Sequence, residues 1–480
     1  VIYPEPLTWV AGTAELSETD TAHYLYDPNT SQPLQRQRTS STDQVDRAIG
    51  AAWQAHSDGA WHGNELAARV EALYRFAKQL EPLAERVAQL DALNSGVPIS
   101  VTRLFAGSMA DTVRSAADLV LSLGDERLLP AGGRLVRLRK VPFGPTALIL
   151  PWNAPSAMAV KKLAFALAAG ATTVIKPSSA SPWSAQLIVE AAHESGLPSG
   201  VVNLVLGDRV VGEQLVGDSR IRSVSMTGST ATGKAVAARA GATLTRLQLE
   251  LGSNNPAIVR ADADMDKTAT SIASGAMKLS GQWCEAPRRV LVARTVLAPL
   301  VEALVESLRD LRVGSSLADD TDIGPVAFRA RQAELHAQRD ELVAAGARAI
   351  ETTTIPDSGW YVSPTVLVAD TLTLNSEMFG PMITVQPVDD DDHAVRLANS
   401  GQFGLAGYVY SENLGEAYSL GARLIAGEVK VNGSSVLDLA AGSAQSFFAD
   451  SGIGGHGDTD VLEFFRGTQV LGVDEPGLPI

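Results

Sequence analysis

The chain holds one cysteine, Cys284, in the run Gly281-Gln-Trp-Cys284-Glu-Ala-Pro. A thiolate attacks carbonyl carbon well, so this residue could accept and release an acyl group. A lone cysteine is equally at home as a small buried hydrophobe. A nucleophile needs a base, and no histidine motif accompanies it. Glu250 offers one, standing in Leu249-Glu250-Leu251-Gly252 where an apolar run turns polar. A carboxylate partly withdrawn from water at a strand end has a raised pKa and can act as general base, whereas on the surface it is an ordinary solvated acid. Asn153 follows Pro151-Trp152 and precedes Ala154-Pro155. Prolines stiffen that backbone, and a fixed amide there can donate to a developing oxyanion or simply close a turn. Val224-Ser-Met-Thr-Gly228-Ser229 followed by Thr232-Gly233 reads as strand, glycine turn and helix start. The free N–H groups of such a helix start bind phosphate, or the turn is a plain connection.

These residues need elements to hold them. Short apolar runs at Thr146–Leu150, Thr172–Ile175, Val201–Val205, Arg222–Met226 and Arg246–Leu249 predict strands. Helical spacing predicts helices over Ser156–Ala169, Pro182–Ser195 and Thr230–Ala240 between them, an alternation that argues a parallel α/β sheet. A second set has strands at Val290–Val292, Val366–Val368 and Ile383–Val385, with helices over Leu297–Leu311 and Phe328–Ala345. Upstream, helices are expected over Thr42–His56, capped by Ser41 or Thr42, and over Asn64–Leu93, broken by Pro82. The first 120 residues therefore read as mainly helical. Arg134–Val141 reads as a strand with at least one wet face.

With 480 residues and 45% hydrophobic content, the chain is long enough for about three domains and excludes a mostly disordered polymer. A net charge of −15 disfavours nucleic acid as a partner. One cysteine permits no intrachain disulfide, which suits a reducing compartment. The first residues carry no uncleaved signal peptide, and the longest uncharged stretch, Val141–Val160, is broken by four prolines. A soluble, cytoplasmic protein without membrane partners or a metal site is the expectation.

Taken together, these motifs resemble the aldehyde dehydrogenase superfamily. Pro151–Asn153, Met226–Ser229, Glu250–Pro256 and Gly281–Cys284 match its motifs in order, as do Glu377-Met-Phe-Gly-Pro381 and Phe403–Tyr410. The resemblance spans about residues 25–472. It implies an α/β fold with a Rossmann-like cofactor domain (1–121 and 142–250), an α/β catalytic domain (251–440) and a small β oligomerisation element (122–141 with 441–480). An arm strand with an open edge then implies a homodimer or homotetramer.

The resemblance further implies NADP or NAD as cofactor and a small-molecule aldehyde as substrate. Cofactor contacts fall on Leu150, Pro151, Trp152, Lys176, Ser178, Ser179, Arg209, Gly228, Ser229, Thr232, Gly233, Leu251, Glu377 and Phe379. Lys176 would bind the adenosine ribose and Glu377 the nicotinamide ribose. Catalysis falls on Cys284 as nucleophile, Asn153 with the Cys284 N–H as oxyanion donors, and Glu250 as the base that hydrolyses a thioester. Ala154, Ala157, Met158, Lys161 and Trp283 would face substrate, with Lys161 placed to meet a carboxylate or else left on the surface. Two departures stand out. Ala444–Ala449 replaces the family's Pro-Phe-Gly-Gly-x-Lys, and Glu285 follows the nucleophile, where a solvated side chain is expected. Ser179 stands where members that prefer NAD commonly carry glutamate, so NADP is expected to be accepted.

Overall fold

The structure is a computed structural model that describes residues 1–130, 134–372, 376–440 and 442–474. Two large sheets dominate it. The first has eight strands in the order Thr13–Leu16, Leu7–Val10, Val202–Leu204, Thr173–Lys176, Thr146–Ile149, Ser223–Thr227, Arg246–Glu250 and Gly452–Ile453. Its five central strands are parallel. Chain order reverses between Thr146–Ile149 and Ser223–Thr227, which opens a crevice at the carboxyl ends of these strands. Helices Pro155–Ala168, Trp183–Glu194 and Thr230–Gly241 fall within a residue or two of their expected bounds.

The second sheet has seven strands: Arg348–Glu351, Thr365–Val368, Met382–Val388, Arg289–Ala293, Pro256–Val259, Ala406–Tyr410 and Glu428–Val431. All neighbours run parallel except the first pair. The five-residue link from Glu250 to Pro256 joins the two sheets. It sets the carboxyl ends of the first sheet against the amino ends of Pro256–Val259, Arg289–Ala293 and Met382–Val388. The site forms at this seam.

Three differences from the sequence reading have physical causes. The first 120 residues are mainly helical as expected, but strands Leu7–Val10, Thr13–Leu16, Thr19–Tyr26 and Pro33–Thr39 precede the first helix, Thr42–Ser57. Thr13–Leu16 and Thr19–Tyr26 are mostly exposed and Pro33–Thr39 is mostly half-buried and polar, so no apolar alternation marks these three. Helix Met265–Met277 went unread because Thr, Ser and Gly dilute its periodicity. The arm strand is Val136–Pro142, and it is central rather than open-edged. It pairs with Glu126–Leu129 on one side and Arg466–Gly472 on the other. Residues 131–133 of the arm and 441 and 475–480 of the tail lie outside the described residues. Among the described residues no helix is long and apolar enough to cross a membrane.

Candidate active site

Cys284 is half-buried and ends an unusual turn. Leu279, Ser280 and Gly281 all adopt left-handed backbone, with φ of 53°, 57° and 74°. Such residues cost about 1–2 kcal/mol each unless they are glycine, so the turn must be held. Ser280 Oγ donates to Gly96 O and accepts from Gly324 N, at 3.1 and 2.9 Å. Gln282, fully buried, donates to Ser95 O at 2.9 Å and accepts from Ala327 N at 2.9 Å. Gly281 is required, because a Cβ there would meet the Gly380 carbonyl carbon at 2.3 Å. Arg288, 1% exposed, donates to Gly380 O, Gly281 O and Trp283 O, tying this turn to the Glu377–Pro381 segment. Burial lowers its guanidinium to about 10. Asn255 Nδ2 donates to Cys284 O at 2.8 Å and to Ala286 O at 2.9 Å. Ser253, in place of a family glycine, donates to Asn255 Oδ1 at 2.6 Å.

Glu250 ends strand Arg246–Glu250 and is 7% exposed. Its Oε1 accepts from Cys284 Sγ at 3.4 Å, and its Oε2 from Thr227 Oγ1 at 3.2 Å. Burial pushes the Cys284 thiol well above its ordinary range, and the charges of Glu250, Glu285 and Glu377 push the same way. Asn153 Nδ2 donates to Gln282 O at 2.8 Å. An amide carries two N–H donors, so one fixes the side chain and one remains for a ligand. Among the described residues the Cys284 N–H has no acceptor. A carbonyl oxygen between these two donors would sit beside Sγ.

Beyond Cys284 a cavity of about 1250 Å³ runs along the crevice of the first sheet. Leu150, Pro151, Trp152, Lys176, Ser178, Ser179, Arg209, Gly228, Ser229, Thr232, Leu251, Glu377 and Phe379 line it, with Asn153 and Cys284 at one end. Gly233 lies behind that wall. A Cβ there would meet the Leu251 side chain at 2.4 Å, so it serves helix–strand packing. Lys176 is buried and, among the described residues, donates only to Pro177 O and Gly207 O, both at 2.9 Å; burial lowers its ammonium to about 8. Ser229 caps helix Thr230–Gly241, accepting from Thr232 N. Glu377 Oε1 accepts from Ser253 N at 3.1 Å, and burial raises its carboxyl to about 7. The Trp152 and Phe379 rings meet edge-on at 5.4 Å. Arg209 is exposed and paired with Glu213 at 2.8 Å, so its guanidinium points to solvent and is already shared.

On helix Pro155–Ala168, Ala157, Met158 and Lys161 are half-buried, like Ala154 just before it, while the rest are buried. That face is therefore the accessible one. Ala154 packs with Trp283 and Cys284 in a cluster with Val97, Val101 and Phe105. Lys161 lies 3.4 Å from Asp458, which neutralises it. Its neighbour Lys162, unremarked in the sequence, is buried. It donates to Ser225 Oγ at 2.8 Å, and burial lowers it to about 8 against the attraction of Glu250. Asp91, also missed, accepts from Ser156 N at 3.1 Å and so fixes the helix start beside Asn153; burial raises it to about 6. No local signal marks either as buried.

Glu285 is not solvated as expected. It is 8% exposed, and burial raises its carboxyl. Its Oε1 has no hydrogen-bond partner among the described residues and lies 3.8 Å from His456 Nε2. His456 belongs to the short strand Gly455–His456, which pairs with Gln445–Ser446 in the altered segment.

The chain matches the aldehyde dehydrogenase family model over residues 16–471. It is 34% identical to geranial dehydrogenase of Castellaniella defragrans, over 82% of this chain and 84% of that one. It is 32% identical to 4-(hydroxymethyl)benzenesulfonate dehydrogenase TsaD1 of Comamonas testosteroni, over 98% of both. Among solved structures, aldehyde dehydrogenase C of Pseudomonas syringae, a mutant with NAD+ and octanal, superposes with a TM-score of 0.91. The identity there is 29%, covering 97% of this chain and 96% of that one, and the expected fold is borne out.

Proposed function

The chain belongs to the aldehyde dehydrogenase family and is an NAD(P)-dependent aldehyde dehydrogenase, and from that premise we propose that it makes a carboxylic acid through a thioester on Cys284 that Glu250 hydrolyses. One observation carries this reading: Cys284 Sγ and Glu250 Oε1 lie 3.4 Å apart at the end of the long cavity.

The residues present fit a dinucleotide. A helix N-terminus behind Gly228-Ser229 suits its pyrophosphate, and buried Lys176 beside Ser178 and Ser179 suits a ribose. Glu377 suits the second ribose, and Phe379 with Trp152 forms an aromatic wall. Leu150, Pro151, Thr232 and Leu251 complete the surface, with Gly233 behind it. A bound nicotinamide dinucleotide supplies the hydride acceptor.

The chain's own residues do the rest. Cys284 Sγ bonds to the aldehyde carbon while Glu250 takes the thiol proton. The oxyanion is met by the second Asn153 N–H and the Cys284 N–H. Once the carbon is oxidised, its acyl group remains on Sγ. Glu250, having released the thiol proton to solvent, then takes a proton from water whose oxygen bonds to the acyl carbon; the C–S bond breaks, the carboxylic acid leaves, and the proton held by Glu250 restores the thiol.

Ala154, Ala157, Met158 and Trp283 are assigned to the aldehyde, and two alanines leave room for a bulky one. Two relatives are named for a terpenoid aldehyde and a sulfonated aromatic, which supports a bulky or anionic substrate. The first sheet is assigned as the cofactor domain (1–121 and 142–250), the second as the catalytic domain (251–440). The three-stranded sheet is the oligomerisation element of a cytoplasmic homodimer or homotetramer. Exposed Leu128, Val470 and Leu471 on that sheet support the assembly. The test is Cys284→Ala assayed with aliphatic, aromatic and carboxylated aldehydes and each cofactor. Aldehyde oxidation should vanish while cofactor affinity stays; turnover above a few percent of wild type rejects the assignment.

A further inference from the structure

Glu285, the residue after the nucleophile, is a buried carboxylate with no part in the steps above. Its main chain is fixed. Tyr408 Oη donates to Glu285 O at 2.5 Å, and Asn255 Nδ2 holds the carbonyls of Cys284 and Ala286 on either side. Its side chain faces His456, whose Nε2 lies 3.8 Å from Glu285 Oε1, and that oxygen has no hydrogen-bond partner among the described residues. The ring is held in turn. Gln445 Nε2 donates to Leu405 O at 2.8 Å, which turns Gln445 Oε1 toward His456 Nε2 at 2.5 Å. An amide oxygen only accepts, so His456 Nε2 carries a hydrogen. Phe447 packs edge-on to the ring, with centres 5.4 Å apart. Nδ1, on the other side of this half-buried ring, has no partner among the described residues and can take a second proton.

The other charges around this pair are engaged elsewhere. Burial raises the Glu285 carboxyl; His456 opposes this most, Glu250 and Glu428 add to it, and Lys430 opposes it. Lys430 is paired with Glu428 at 3.0 Å, and Lys278, which Glu285 attracts, is held by Ser434 O. On the side of His456, Asp458 is paired with Lys161 at 3.4 Å and Glu463 with Arg466 at 2.8 Å. Asp460 is exposed, and Arg246 lies over the Phe143 ring at 4.1 Å. His456 is therefore the cationic partner of Glu285 among the described residues. Imidazole is the side chain that changes charge between about pH 5 and 8. With the ring charged the pair is neutral; with the ring uncharged Glu285 is a bare negative charge beside Cys284. Burial raises the thiol first, then Glu250, then Glu285.

We propose that His456 is a positioning residue that acts on Cys284 through Glu285: its imidazolium cancels the carboxylate beside the nucleophile, and loss of its proton makes the thiol harder to ionise. The C-terminal segment thereby sets the readiness of the nucleophile across the neutral pH range. Two departures from the family pattern, Glu285 and the Ala444–Ala449 run that supplies Gln445, then serve one device. The inference rests on Cys284 as nucleophile.

The test is the rate at which iodoacetamide alkylates the full chain, which reports the thiolate of its single cysteine. His456→Gln keeps an N–H donor and removes the charge. At about pH 6 wild type should react about three- to tenfold faster than this variant, which corresponds to moving the thiol by about half a pH unit to one. At about pH 9, above the ordinary imidazole range, the two should react alike. His456→Lys, charged at both pH values, should match wild type at the lower pH and exceed it about three- to tenfold at the higher. In a Glu285→Gln background the effect of His456→Gln at the lower pH should fall below about twofold, because the carboxylate that transmits it is gone. A merely structural His456 would slow alkylation equally at both pH values and in both backgrounds. That result, or equal rates of wild type and His456→Gln at the lower pH, or a rate of His456→Lys no higher than wild type at the higher pH, would overturn the proposal. Failure of the nucleophile reading is seen separately, as aldehyde turnover retained in Cys284→Ala.

Discussion

The Cys284 thiol and the Glu250 carboxylate meet at 3.4 Å across the seam of the two sheets, the acid at the carboxyl end of one and the thiol ahead of a strand of the other. Two steps of the proposed reaction need that one carboxylate: thiol deprotonation and water activation. Glu250→Gln separates them. An amide can take a proton neither from the thiol nor from water, so the variant should give a slowed burst of reduced cofactor, close to one per site, and then stall. Steady-state turnover should fall by about 10²–10⁴. Rapid mixing reads both phases, and wild-type steady turnover would assign water activation to another group.

The thiol's pKa gives a pH prediction with a definite sign. Burial raises it first, and the nearby carboxylates, Glu285 among them, raise it further by disfavouring the thiolate. Alkylation of Cys284 by iodoacetamide should therefore accelerate with pH beyond the ordinary thiol range. Glu285→Gln removes one negative charge, so the midpoint of that profile should move down. An unmoved midpoint would mean that Glu285 does not act on the thiol.

Asn153 should matter to the chemical step rather than to cofactor binding. Its amide holds Gln282 O with one hydrogen and leaves the other for the oxyanion. Asn153→Ala should slow single-turnover oxidation by about 10²–10³. An unchanged single-turnover rate rules out the oxyanion role.

Arg288 should be a stability position. Its removal leaves the carbonyls of Gly380, Gly281 and Trp283 without their donor in a buried, left-handed turn. A buried polar group left unpaired costs about 1–3 kcal/mol, so Arg288→Met should lower stability by at least about 3 kcal/mol in denaturant titration. Stability within 1 kcal/mol of wild type would show that water replaces the guanidinium at once.

How far the sequence carries depends on whether the signal is local. Glu250, Lys176 and Gly228 sit where apolar runs end in polar residues, so the strand ends were readable there, while the part proposed for Lys176 came from the family resemblance. Lys161 and Lys162 are adjacent, and only the helix phase in the folded packing decides that the first meets Asp458 at the surface and the second is buried near Glu250. The surroundings of Glu285 come from Tyr408, Gln445 and His456, more than a hundred residues on, so no local pattern announced its burial. Strands Thr13–Leu16, Thr19–Tyr26 and Pro33–Thr39 bury little, so a hydrophobic period has nothing to report there.

The last prediction concerns the cofactor. Ser179 lines the cavity near Lys176, where a carboxylate would repel a 2′-phosphate and a hydroxyl can donate to it. Arg209 adds less than its sequence position implied, because it points to solvent and is paired with Glu213. The discrimination then rests on what Ser179 lacks, a negative charge. We expect NADP to be accepted at least as well as NAD. Ser179→Glu should weaken NADP selectively, by about 1–3 kcal/mol, which is about 5–150-fold in affinity, while NAD changes little. Titration of each cofactor by quenching of protein fluorescence measures both. A wild-type enzyme that uses NAD and shows no NADP activity refutes this reading, and equal weakening of both cofactors in the variant would make Ser179 a packing position instead.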